Sequence, residues 1–120
     1  MYSIEERKEI AQTIIQQLGG NRFVVMTGAK DFVALNDGGV EFTIGRNSKR
    51  VNRVAVILNY DDTYIMRFMN YQAPKLLVDE KNFTADWKPE RKTVLKEVEG
   101  VYCDMLRDIF TENTHLCTSL

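Results

Sequence analysis

The spacing of apolar positions changes period along this chain, and each change marks an element. Over residues 3–18, Ile4, Ala11, Ile14, Ile15 and Leu18 recur at three- and four-residue intervals, the stripe of an amphipathic helix. Ser3 and Glu6 form an S-x-x-E capping box at its start, and Gly19-Gly20 ends it, because glycine enters the left-handed conformation of a helix cap without a Cβ clash. From residue 22 to residue 71 the period falls to two. Residues 22–27 set Phe23, Val25 and Thr27 against Val24 and Met26, which predicts a strand apolar on both faces. After Gly28-Ala29-Lys30 a second strand covers 31–35, and Asn36-Asp37-Gly38-Gly39 is a hairpin signal.

Val40, Phe42 and Ile44 then alternate with Glu41 and Thr43, as in a strand with one dry and one wet face. Residues 53–60 are apolar on both faces and predict the central strand. Asp61-Asp62 turns the chain into a further strand with Tyr64, Met66 and Phe68 on one side. Residues 71–91 lose the pattern; they hold both prolines, Trp87 and mixed charge, and are expected to form an irregular or inserted loop in which Leu76-Leu77-Val78 is either a short strand or a pin to the core. Residues 91–99 alternate as an edge strand. Residues 101–113 return to helical spacing through Tyr102, Met105, Leu106, Ile109 and Phe110, and residues 114–120 show no period. No gap among the strands is long enough for a parallel crossover. The pattern predicts a single domain over residues 1–120 of the α+β class. It has two layers: an N-terminal helix, an antiparallel meander of five to six strands and a C-terminal helix.

Composition changes this picture little. A chain of 120 residues, 44% hydrophobic and 28% charged, has the make-up of an ordinary globular domain large enough to bury a core. The net charge of −1 argues against a partner recognised by the overall electrostatic field. Residues 1–12 carry charges where a signal peptide needs an apolar run, and no apolar stretch approaches membrane length, so a soluble, cytoplasmic protein without a membrane partner is expected.

Candidate chemistry is sparse. Cys103 and Cys117 match neither a C-x-x-C pair nor a disulfide framework. His115, the only histidine, lies two residues from Cys117 in the aperiodic tail, a poor place to hold a catalytic geometry, and Cys103, His115 and Cys117 lack a fourth zinc ligand. Asp61-Asp62 and Asp79-Glu80 read as turn carboxylates. Gly28 and Gly38-Gly39 precede strands, so neither is a phosphate loop. No cofactor or metal is expected. One basic run stands out: Arg46, Lys49, Arg50 and Arg53, interleaved with Asn47, Ser48 and Asn52 in a hairpin loop over 46–53. These four are the candidate nucleic-acid-binding residues, with Arg91, Lys92 and Lys96 as a second basic run and Tyr60, Tyr64 or Tyr71 as candidate base-stacking groups.

Three segments carry a family resemblance: LGGNRFVVMTGAKDFV (18–33), the strand pair within 51–68, and GVYCDMLRDIFTENTHLCTSL (100–120). With the motifs L-G-G-N-x-F, M-T-G-A-K-x-F and V-Y-x-D-M-L-x-x-I-F-T, the chain resembles a family of small uncharacterised proteins encoded by bacterial phages, prophages and other mobile elements. Residues 71–91 fall outside the resemblance, and His115 and Cys117 stand where the family tail reads Gly and Tyr. The resemblance implies a bacterial or phage setting and carries over no activity and no site residues. The function expected is a non-enzymatic accessory or binding module that presents a sheet or helix face to a protein partner. The alternative is nucleic-acid binding through the loop 46–53.

Overall fold

The computed structural model describes residues 2–118. Its first helix, α1 (Ile4–Leu18), is closed by the capping box: the Ser3 N–H donates to Glu6 Oε1 at 3.1 Å and the Glu6 N–H donates to Ser3 Oγ at 3.2 Å. Ala11, Ile14 and Leu18 form its buried stripe, whereas Ile4 is 65% exposed and lies off it. Gly19 and Gly20 both take positive φ and swing the chain into α2 (Asn21–Thr27).

This second helix corrects the strand expected over residues 22–27. Phe23 and Thr27 are buried, one helical turn apart, and the Thr27 hydroxyl donates to the Phe23 carbonyl at 2.7 Å. Val25 is 80% exposed, although a strand would put it beside those two residues. Two adjacent valines favour a strand locally. Burying the Phe23 ring against Phe42 and Phe110, with centroids 5.5 and 5.0 Å away, outweighs that preference.

The strands follow as β1 (Lys30–Leu35), β2 (Gly39–Thr43), β3 (Arg53–Leu58), β4 (Tyr64–Gln72) and β7 (Arg91–Val101), in one antiparallel sheet ordered β1-β2-β3-β4-β7. β3 is central and β7 is an edge, as the alternation predicts. A three-residue turn, Asn36-Asp37-Gly38, joins β1 to β2. Val40, Phe42, Val54, Val56, Met66 and Phe68 point to one face, where α1, α2 and α3 (Leu106–Thr114) cover them. The last helix enters through a short 3-10 turn (Cys103–Met105), so Tyr102 and Met105 stay exposed and the buried stripe is Leu106, Phe110 and Thr114. The tail packs as far as Thr118, which is buried. Among the described residues no helix is long and apolar enough to cross a membrane.

Residues 71–91 are ordered rather than an irregular loop. After Ala73-Pro74 the chain forms β5 (Lys75–Asp79) and β6 (Thr84–Lys88), an antiparallel pair separate from the main sheet. Gln72 faces Arg91 at the end of the β4–β7 ladder and Lys75 faces Lys88 at the start of the β5–β6 ladder. The register is unbroken between them, so Pro74 and Pro89 fall opposite each other. Two prolines in register leave no N–H to donate there, and the ribbon divides into a body segment and an arm. The radius of gyration, 16.5 Å, exceeds the about 14 Å expected of a compact chain this long. The longest dimension is 56 Å.

Candidate interaction surfaces: the basic loop and the arm

The loop between β2 and β3 is built by two asparagines. Ile44 and Val51 are buried at its two ends. Inside it, Asn47 Nδ2 donates to the carbonyls of Gly45 and Val51, while its Oδ1 accepts from the N–H groups of Lys49 and Val51. That side chain replaces the backbone ladder the loop lacks. Asn52 does the same towards β4, donating to the Tyr71 carbonyl at 2.7 Å and accepting from the Tyr71 N–H at 2.6 Å. The Arg50 carbonyl accepts from Asn70 Nδ2 at 2.8 Å, and Ser48 Oγ lies 2.8 Å from His115 Nδ1 at the end of α3. Gly45 allows the loop to reach α2: its N–H donates to the Thr27 carbonyl at 2.7 Å, and a Cβ there would lie 3.0 Å from that oxygen.

Within this frame Arg46, Lys49 and Arg50 are exposed and make no ion pair among the described residues. Arg53 differs. It opens β3 on the open face of the sheet, its guanidinium 4.1 Å above the Tyr71 ring and 3.5 Å from Glu41. Glu41 also receives Lys92 at 2.6 Å, so the two basic runs meet only through Arg53 and Lys92, over a shared carboxylate. Arg53 Nε is buried without a partner. Arg91 and Lys96 are exposed, and the register faces them to Gln72 and Phe68 rather than to the Tyr71–Lys92 row. The two runs therefore form no single basic surface.

The tyrosines do not make a stacking platform beside the loop. Tyr64 is buried and donates to Gln17 Oε1 at 2.8 Å; burial holds its phenol above the usual pKa. Tyr71 lies under Arg53 and donates to Glu90 at 2.8 Å, a hydrogen bond that raises its pKa. Tyr60 is exposed, but in the β3–β4 turn at the far end of β3. Asp61 accepts from the Thr63 hydroxyl and N–H, which lowers its pKa, and it serves as a turn former.

The arm has the opposite chemistry. Cross-strand pairs Leu76–Trp87 and Val78–Ala85 share one side, and Lys75, Leu77, Asp79, Thr84, Asp86 and Lys88 share the other. The arm is thus amphipathic, yet every residue of both strands is exposed: Trp87 to 70%, Val78 to 63% and Phe83, in the turn, to 96%. Asp79 shapes that turn by accepting from the N–H groups of Lys81 and Asn82 and from Asn82 Nδ2, contacts that lower its pKa. Leu76-Leu77-Val78 falls in a strand, one of the two readings its sequence offers, and alternation within Thr84–Lys88, masked by the flanking prolines, was the signal for its partner. No family model, curated protein or solved structure matches this chain.

Proposed function

We propose that this chain is a non-enzymatic binding module, an accessory protein of a phage or mobile element, and that it binds a protein partner with the apolar side of its arm. One observation carries the reading. Leu76, Val78, Ala85 and Trp87 line one face of a two-stranded ribbon that nothing among the described residues covers. Such a ribbon is marginal in water by itself. Contiguous exposed apolar surface ending in an aromatic residue is the make-up of an interface centre. Residues 73–90 contain Lys75, Lys81 and Lys88 against Asp79, Glu80, Asp86 and Glu90, a slight acidic excess that suits a protein better than a phosphate backbone.

Affinity purification from the host with the parent chain and with L76S/W87S, whose changes lie outside the core, tests the proposal. A specific protein held by the parent and released by the variant is expected. Equal retention by both, or no partner for either, would overturn it.

A second reading rests on Arg46, Lys49 and Arg50, three exposed cations on a hydrogen-bonded loop. Nucleic-acid binding through them predicts a log K against log salt slope of about −2.7 for three phosphate contacts on duplex DNA. Replacing the three with alanine must abolish that slope; unchanged binding sinks the reading.

A further inference from the structure

The strand β5 reads Lys75-Leu76-Leu77-Val78-Asp79, and it is complementary to itself about its middle residue. With a two-fold axis through Leu77 and a second copy running antiparallel, Lys75 meets Asp79 of the second copy. Leu76 meets Val78 of the second copy, and Leu77 meets its own equivalent. We propose that the outer edge of β5 pairs in this way with β5 of a second copy, joining two arms into a four-stranded sheet.

Four features of the chain support the pairing. First, a two-stranded ribbon lacks the neighbours that give a sheet independent stability, and four strands supply them. Second, the charges match: Lys75 makes no ion pair among the described residues. Asp79 uses three hydrogen bonds within its turn, leaving room for a further donor among its about four acceptor positions. Third, the axis on Leu77 keeps both apolar faces on the same side of the joined sheet, whereas a one-residue slip would turn one of them over. Pro74 and the turn at 80–83 limit the edge to five residues, so little slip is available. Fourth, the register carries Glu80 of the second copy back towards the root of the arm. There Asn52 is bonded to Tyr71 and the loop presents Lys49 and Arg50.

The other edge of the arm does not have this property. β6 reads Thr84-Ala85-Asp86-Trp87-Lys88, and a two-fold axis through its centre sets Asp86 against its own equivalent. Like charges directly opposite each other oppose pairing. Pairing through β5 uses the edge of the arm and leaves its apolar side open, so it does not depend on the protein contact proposed above. A five-residue edge is small beside the about 1,200–2,000 Å2 of stable interfaces, so the dimer forms and dissociates with concentration.

The test uses the whole chain with C103S and C117S, which remove two exposed thiols. Leu77→Cys places two thiols across the axis, and Asp86→Cys does so only if β6 is the paired edge. Under mild oxidation L77C is expected to form a covalent dimer several-fold faster than D86C, because only at position 77 does the pairing bring two thiols within disulfide reach. Equal rates, or faster cross-linking by D86C, would overturn the proposal. Charge exchange gives an independent readout that turn damage cannot mimic. K75E and D79K should each self-associate about tenfold more weakly in sedimentation equilibrium, since each sets two like charges across the edge. Their mixture should recover the parent affinity, because both cross-copy pairs are again opposite in sign. A mixture no tighter than the separate variants would also overturn it.

Discussion

Removing the arm should leave the body as stable as before. No residue from 72 to 97 is buried, and none of residues 73–90 belongs to the core formed by Phe23, Phe42, Phe68, Phe110 and their neighbours. Gln72 and Arg91 already face each other at the end of the β4–β7 ladder, so an Asn-Gly pair can replace residues 73–90 and close the hairpin there. An isolated ribbon contributes about nothing to stability. Shortening the connection roughly ninefold recovers up to about 2 kcal/mol of closure entropy by the logarithmic law. The unfolding free energy is therefore expected to stay constant or rise by up to about 2 kcal/mol, with an m value close to the parent's because little buried surface is removed. Urea unfolding followed by far-ultraviolet circular dichroism is the assay, since the sole tryptophan leaves with the arm. A loss of more than about 1 kcal/mol, well outside the effect of trimming exposed residues, would show instead that the arm supports the core.

Other consequences concern the body and the arm's turn. Gly39→Ala sets a Cβ 2.3 Å from the Val56 carbonyl oxygen and 2.8 Å from Ile57 Cα, both backbone atoms of β3; a loss of about 2 kcal/mol or more is expected in urea unfolding. Phe23→Ala opens the aromatic contact among α2, β2 and α3 and should cost about 3–5 kcal/mol by the same assay. Asp79 has a lowered pKa in the folded arm, so its contribution to the turn is present above the ordinary carboxylate value of 3.8 and is lost as pH falls through the lowered one. The Lys81 and Asn82 amide resonances should hold their folded positions at pH 5 and move only in stronger acid, as NMR titration would show. Movement complete by pH 5 would contradict that assignment.

The elements most legible in the sequence were those whose local chemistry and core packing agree. Ser3, Glu6 and Gly19 bounded α1, and Val54 and Val56 marked the central strand, because caps and alternation there serve the same fold. The α2 helix was hidden because Val24 and Val25 favour a strand locally, while the deciding contact, Phe23 on Phe110, spans most of the chain. The arm was hidden for another reason. Its apolar residues face nothing among the described residues, so their alternation could not be matched to a core, and the prolines in register look like loop punctuation. The loop showed its charge but not its electrostatics: that Glu41 holds both Arg53 and Lys92 depends on the registers that carry β2, β3, β4 and β7 across one face of the sheet, which no local pattern encodes. Tyr64 shows the same limit, as an aromatic proposed for stacking that packs into the core.

On the proposal made above, the body is a scaffold and the arm is the part that binds. Hydrogen–deuterium exchange, comparing the free chain at low concentration with the complex purified from its host, tests it most directly. Peptides covering Lys75–Asp79 and Thr84–Lys88 should exchange rapidly in the free chain and become protected in the complex, while β3 and β4 exchange slowly in both. Protection confined to residues 46–52, or arm amides as slow as those of β3 in the free chain, would show that the arm is not the binding element.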